Sequence, residues 1–250
     1  MPESKVLAMI HGLIGSLEYF DPAARIAGAD VRTIDLLGYG SRQGAAAEEL
    51  TLQDQVEHVV SQIESWSASP VWLLGHSMGG AIAMMLADQR PELVRGIINV
   101  EGNFTEKDAF WSRAIVKKTS AEWAEEYGGM CDDVRSFTER CGIEPTGRNV
   151  AWMTAILEYQ PASTVYAMSQ AIMTKTPAPS YLEAVRRVID RGVPIHLIAG
   201  ERSAQDWDVP DFVRAAAASY VEMPGTGHVM MLEDPDDFCR EVERILAMSS

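Results

Sequence analysis

Cysteine is scarce in this 250-residue chain, which has three, at 131, 141 and 239. An odd count without CxxC spacing supports neither a disulfide framework nor a zinc site, and free thiols suit a reducing compartment. Long apolar runs are also missing. Nothing approaches the roughly 18 uninterrupted apolar residues of a membrane span, and the opening MPESKVLAMIHG has one lysine and an apolar run too brief for a secretory signal. The expectation is a soluble, cytoplasmic protein with no membrane partner. Positive charge is in short supply too: 21 basic residues face 36 acidic ones, for a formal net charge of −15. Such a chain repels phosphate backbones and anionic lipid at long range, which argues against nucleic acid as a partner.

What is present is ordinary globular composition, 47% apolar and 23% charged, at a length suited to one domain with a modest insertion. Short β-rich runs alternate with longer helical patterns, which predicts a parallel sheet covered on both faces. Strands are expected at Val6–Ile10, Val31–Asp35, Val71–Gly75, Gly96–Val100, Ile195–Ala199 and Ser219–Met223. Helices are expected at Tyr19–Ile26, Leu52–Trp66, Met78–Arg90, Tyr181–Arg191, Val209–Ala217 and Pro235–Met248. Between Gly102 and Ser180 the pattern changes to amphipathic helical stretches dense in aromatics and methionines, among them Phe110, Trp111, Trp123, Met130 and Met153. Most of these residues serve to bury that segment, and the remainder suffice to line an apolar pocket.

The most informative stretch is VWLLGHSMGG at 71–80, where Gly75-His76-Ser77-Met78-Gly79 places a serine between an apolar run and a helix. This is G-x-S-x-G in its required setting of strand, sharp turn and helix. The flanking glycines leave room for a turn that strains the serine's backbone. A helix start also offers free N–H groups to a developing anion. Three further segments fall at strand ends: His11-Gly12 after Val6–Ile10, Asp35–Ser41 after Val31–Ile34, and Gly227-His228 after Val221–Met223.

On these motifs and their order the whole chain resembles the α/β-hydrolase superfamily. The resemblance implies an α/β-hydrolase fold, a mainly parallel sheet of about six strands flanked by helices. It also implies a core formed by 1–102 and 181–250, and a helical cap over 103–180. The two antiparallel strands that usually open the family have no room before His11 and must be missing or vestigial.

A serine hydroxyl needs an adjacent base, itself oriented by a third group. His228, in the turn Gly225-Thr226-Gly227-His228, is the candidate base. Of the other histidines, His58 reads as helix surface, His196 as a strand position, His76 as the variable residue of the serine turn, and His11 as support for the loop after the first strand. For the acid, the family's usual Gly-x-x-Asp after Ile195–Ala199 is here Gly200-Glu201-Arg202-Ser203. A neutral hydroxyl cannot stabilise an imidazolium, so Ser203→Ala is expected to do little. Glu101, closing the strand Gly96–Val100, is the first candidate acid, Asp206 the alternative, and Asp208 stands behind both. Backbone N–H groups of Leu13 and Met78 are the expected oxyanion donors.

The expected reaction is hydrolysis of a carboxylic ester or thioester of an apolar or aromatic acyl group, through an acyl-enzyme on Ser77 and with no cofactor or metal. A C–C bond hydrolase, perhydrolase or lyase would use the same residues, and a non-catalytic ligand-binding protein is the alternative of another class.

Overall fold

The computed structural model describes residues 5–45, 50–67 and 69–248. In chain order the elements are β1 (Lys5–Ile10), α1 (Pro22–Arg25), β2 (Ala29–Ile34), α2 (Leu52–Trp66), β3 (Val71–His76), α3 (Met78–Gln89) and β4 (Val94–Val100). Five helices follow: α4 (Phe110–Ile115), α5 (Ser120–Asp132), α6 (Val134–Arg140), α7 (Gly147–Glu158) and α8 (Ala162–Lys175). The chain then returns through α9 (Pro179–Asp190), β5 (Ile195–Gly200), α10 (Asp211–Ala216), β6 (Ser219–Met223), α11 (Met230–Glu233) and α12 (Pro235–Met248).

The six strands form one parallel sheet in the order β2-β1-β3-β4-β5-β6. Alternate residues of each strand face opposite layers, as the period of two requires. Ala8, Ile10, Leu73 and Ile97 join the layer built with α2, α3 and α9, while Leu7, Met9, Trp72 and Ile98 join the layer completed by α12. The strand order reverses between β1 and β3, and the crevice beyond the strand C-termini at such a point is where ligands bind in open α/β sheets.

Boundaries follow local chemistry. The capping box of Thr51 with Asp54 starts α2 at Leu52, and Pro91 stops the run begun at Met78. The helix expected over Tyr19–Ile26 is interrupted, because Asp21 sits at φ +52° before Pro22 and only Pro22–Arg25 is α-helical. The helix expected from Val209 starts at Asp211, after Pro210. Strand β2 starts and ends earlier than its apolar run suggested, at Ala29 and Ile34, because its pairing with β1 runs from Lys5↔Ala29 to Ile10↔Ile34. Among the described residues no helix is long and apolar enough to cross a membrane.

Candidate active site

Ser77 sits between β3 and α3 with φ +52° and ψ −120°, a backbone conformation that L-residues adopt only when their surroundings force it. The surroundings do so through two glycines. A Cβ on Gly75 would run into the Gly79 carbonyl, and one on Gly79 would run into the carbonyls of Ile10 and His11. The turn is fastened by Ser77 N–H donating to Val100 O at 3.0 Å and by Gly80 and Asn103 N–H groups donating to Ser77 O. Ser77 thus stands over the end of the sheet at the start of α3, partly exposed to a cavity.

That cavity measures about 920 Å³ and is bordered by the loop Gly12–Leu17, by Ser77 and Met78, by the His228 turn, and by side chains of α4–α7. Its walls are mainly apolar, including Trp111, Trp123, Met130, Phe137 and Met153. Leu13 and Met78 both line it beside Ser77. The Gly12–Leu13 peptide, which carries the Leu13 N–H, is oriented by His11, whose Nδ1 donates to Gly12 O at 2.8 Å. Tyr39 OH donates to Leu13 O at 2.8 Å, and Gly15 N–H donates to Gln160 Oε1 at 2.8 Å. The loop after β1 is therefore held from three sides. Burial takes the His11 pKa down to about 4, so the ring stays neutral, with Nε2 free to accept the Leu36 N–H.

His228 and Glu101 meet across the ends of β4 and β6. His228 Nδ1 lies 2.6 Å from Glu101 Oε2, and a carboxylate there fixes the proton on Nδ1 and leaves Nε2 as the acceptor. Glu101 is 4% exposed and has φ +41°, a second strained position next to the first. Its other oxygen, Oε1, accepts from Gly200 N–H at 2.8 Å and from Ser203 Oγ at 2.5 Å. Burial works to raise the Glu101 pKa, but the hydrogen bond and charge of His228, with the Ser203 and Gly200 donors, outweigh it and hold the carboxyl below its usual range.

The sequence did not reveal the part played by Ser203, because the hydrogen bond depends on how far the turn after β5 lies from the end of β4. The hydroxyl stands in the acid's usual place and orients a carboxylate supplied by the neighbouring strand. Asp206 is exposed in a short turn at 204–206, and Asp208 accepts instead from Thr105 Oγ1 at 2.8 Å and from Lys107. Of the three acids considered, Glu101 is the one hydrogen-bonded to His228.

His76 is more than a variable position. It is buried, its Nε2 donates to the His228 carbonyl at 2.9 Å, and its ring lies 4.7 Å from that of His228. Burial, reinforced by the neighbouring His228, takes its pKa down to about 3. His58 is half-buried rather than on the surface and donates Nε2–H to Asp35 O at 2.9 Å. The turn carrying His228 is gripped in addition by Glu233, which accepts from Gly227 N–H at 2.7 Å, and by Arg202, which pairs with Glu233 at 2.8 Å and donates to Gly225 O. Among the described residues, no hydrogen bond joins Ser77 Oγ to His228.

A sheet of this order, with a strained serine at the turn into α3, defines the class as the α/β hydrolases. The chain belongs to the alpha/beta hydrolase family, whose model matches residues 7–241. It is 31% identical over 236 residues to the 2-succinyl-6-hydroxy-2,4-cyclohexadiene-1-carboxylate synthase of Enterobacter sp. (strain 638), covering 92% of this chain and 86% of that protein. Three other curated relatives are matched over less than half of their own length. In fold the chain is similar to a carboxylesterase structure from Nitrososphaera gargenis, with a TM-score of 0.76 at 20% identity, covering 99% of this chain and 91% of that one. It is also similar to MenH from S. aureus, with a TM-score of 0.76 at 18% identity, covering 100% and 96%.

Proposed function

We propose that this chain is a serine hydrolase that cleaves a carboxylic ester or thioester of an apolar or aromatic acyl group through Ser77, His228 and Glu101. One observation carries the reading. Among the described residues three non-glycines have positive φ, and two of them bear on one histidine: Glu101 is hydrogen-bonded to His228, and Ser77 lines the same cavity as His228. Strain of about 1–3 kcal/mol per residue persists where surrounding structure enforces it, and it clusters at active sites. The esterase and synthase names among the relatives agree with an enzyme.

In this reading Ser77 Oγ attacks the substrate carbonyl as His228 Nε2 takes its proton. The carbonyl oxygen becomes an oxyanion held by the Leu13 and Met78 N–H groups, and Glu101 stabilises the imidazolium without taking its proton. The intermediate expels the alcohol or thiol, which receives the proton from His228. A water molecule deprotonated by His228 then attacks the acyl-Ser77 ester, releasing the acid and restoring the serine. The segment 103–180 acts as a cap whose helices α4–α7 close an apolar chamber over Ser77, and 1–102 with 181–250 form the core.

Hydrolysis of apolar esters, followed by steady-state kinetics, tests this. Ser77→Ala and His228→Ala are expected to abolish turnover, with Ser77→Ala still binding an apolar acid. Glu101→Gln is expected to lower kcat by about 10³-fold or more, since the ring loses its fixed tautomer. If Asp206→Asn is the crippling change and Glu101→Gln is mild, the acid is misassigned. A second reading, a lyase or C–C bond hydrolase on the same residues, is favoured by the 31% identity to the Enterobacter synthase. It predicts a reactive Ser77 with no turnover of simple esters.

A further inference from the structure

Phe110 opens α4 and lines the cavity, yet it is 47% exposed. Among the described residues the other large apolar side chain this exposed is Met248, at the end of α12. The next residue, Trp111, packs inward on Phe137 with ring centroids 5.8 Å apart, so the apolar demand of α4 is met without Phe110. Phe110 instead meets His228 edge to face, with centroids 6.1 Å apart and planes at 71°. The rest of the His228 ring is accounted for, His76 lying against it and Glu101 holding Nδ1. Phe110 and His228 both line the cavity, so a group seated against the His228 ring from the cavity side lies beside Phe110.

Acyl transfer puts one group of the substrate in that place. The oxygen that leaves must lie within hydrogen-bond reach of His228 Nε2 to receive its proton, so whatever that oxygen carries occupies the space next to the ring. The apolar chamber walled by Trp111, Trp123, Met130, Phe137 and Met153 then holds the acyl part.

Resting on the serine-hydrolase reading, we infer that Phe110 determines specificity for the leaving group, its exposed ring seating an aromatic alcohol against His228, so that arylalkyl esters are preferred over short alkyl esters. In the acylation step the bond from Ser77 Oγ to the carbonyl carbon forms, the bond from that carbon to the alcohol oxygen breaks, and the proton from Ser77 departs on the alcohol. An aromatic ring on that alcohol meets Phe110 in the offset or edge-on packing that aromatic pairs favour.

The test compares benzyl hexanoate with ethyl hexanoate, which share one acyl group and hence one deacylation step, on wild type, Phe110→Leu and Phe110→Ala. The benzyl-to-ethyl ratio of kcat/KM is expected to fall about tenfold in Phe110→Ala, with Phe110→Leu between, in line with the loss of one aromatic contact. A second measurement needs no ester turnover: benzyl alcohol should slow fluorophosphonate labelling of Ser77, and Phe110→Ala should need about fivefold more alcohol for the same effect. A ratio and an alcohol requirement both unchanged in Phe110→Ala, while Ser77→Ala is inert, would overturn the assignment and leave the hydrolase reading standing. A wild type that neither hydrolyses the esters nor takes the label would overturn the hydrolase reading itself. Phe110→Leu carries the comparison if Phe110→Ala fails to fold.

Discussion

Ser203 occupies the place where the family usually carries its acid, and its hydroxyl reaches Glu101 Oε1 at 2.5 Å. Glu101 Oε1 has two donors, Ser203 Oγ and Gly200 N–H, and Oε2 has His228, so the buried carboxylate is aimed as well as ionised. A hydrogen bond to a charged group contributes about 1.5–3 kcal/mol, and Ser203→Ala is therefore expected to lower kcat about tenfold or more, where a neutral hydroxyl at that position suggested little effect. Steady-state ester hydrolysis with a matched urea unfolding curve separates that loss from a loss of fold. At this scale the sequence was legible where a residue type is chemically unusual for its place. A glutamate closing the apolar strand Ile97–Val100 and a histidine in Gly-Thr-Gly-His both stood out. Contacts between loops did not, because the Ser203–Glu101 and His76–His228 bonds join residues 102 and 152 positions apart.

The elements do different amounts of work in placing these residues. Strand β3, the turn at Ser77 and helix α3 form a unit whose shape follows from glycines in tight contact with neighbouring backbone, and this unit was readable in full from Val71–Gly80. The loop after β1 needs help from outside. Gln160, between α7 and α8, is 3% exposed, accepts the Gly15 N–H and donates to Tyr127 OH and to carbonyls of Ile156 and Leu157. Replacing it with leucine leaves buried polar groups without partners, at about 1–3 kcal/mol. Gln160→Leu should therefore unfold at lower urea and, because the Leu13 N–H lies in the loop it pins, should lower kcat while leaving KM near its native value. Helix boundaries were legible in α2, which its capping box starts, and in α12, which Pro235 opens, whereas the starts of α9 at Pro179 and of α10 after Pro210 were each missed by two residues. The start of α1 was missed where one residue, Asp21, turns the chain before Pro22.

Across the whole molecule, two layers cover one parallel sheet, and both histidines that brace the site are sealed inside it. His11 and His76 titrate near 4 and 3, whereas in the unfolded chain they titrate near 6.5. Below 6.5 the unfolded state binds protons that the folded state refuses, so stability falls as pH falls, by about 2 kcal/mol for each histidine between pH 7 and pH 5. Glu101 adds to this at lower pH, since the stabilisation from its depressed pKa is present above the ordinary carboxylate value and is lost as pH drops through the folded one. Urea midpoints measured at pH 7 and pH 5 should therefore differ markedly, and equal midpoints would mean that the two rings are not buried neutral. The alternation of strands and helices made this architecture legible, and the strand end at Glu101 singled out the carboxylate that is hydrogen-bonded to His228. Sheet order and the packing of α4–α7 around the cavity were not, because they depend on long-range packing rather than on local pattern.

An activated Ser77, served by His228 and Glu101, reacts with a small fluorophosphonate. Intact-mass spectrometry after treatment with a small fluorophosphonate, on wild type and on Ser77→Ala, tests it most directly. A single adduct on the wild type, absent from Ser77→Ala and formed far more slowly in His228→Ala and Glu101→Gln, is the predicted result. No adduct on a folded wild type, or an adduct that survives Ser77→Ala, would mean that Ser77 is not an activated nucleophile.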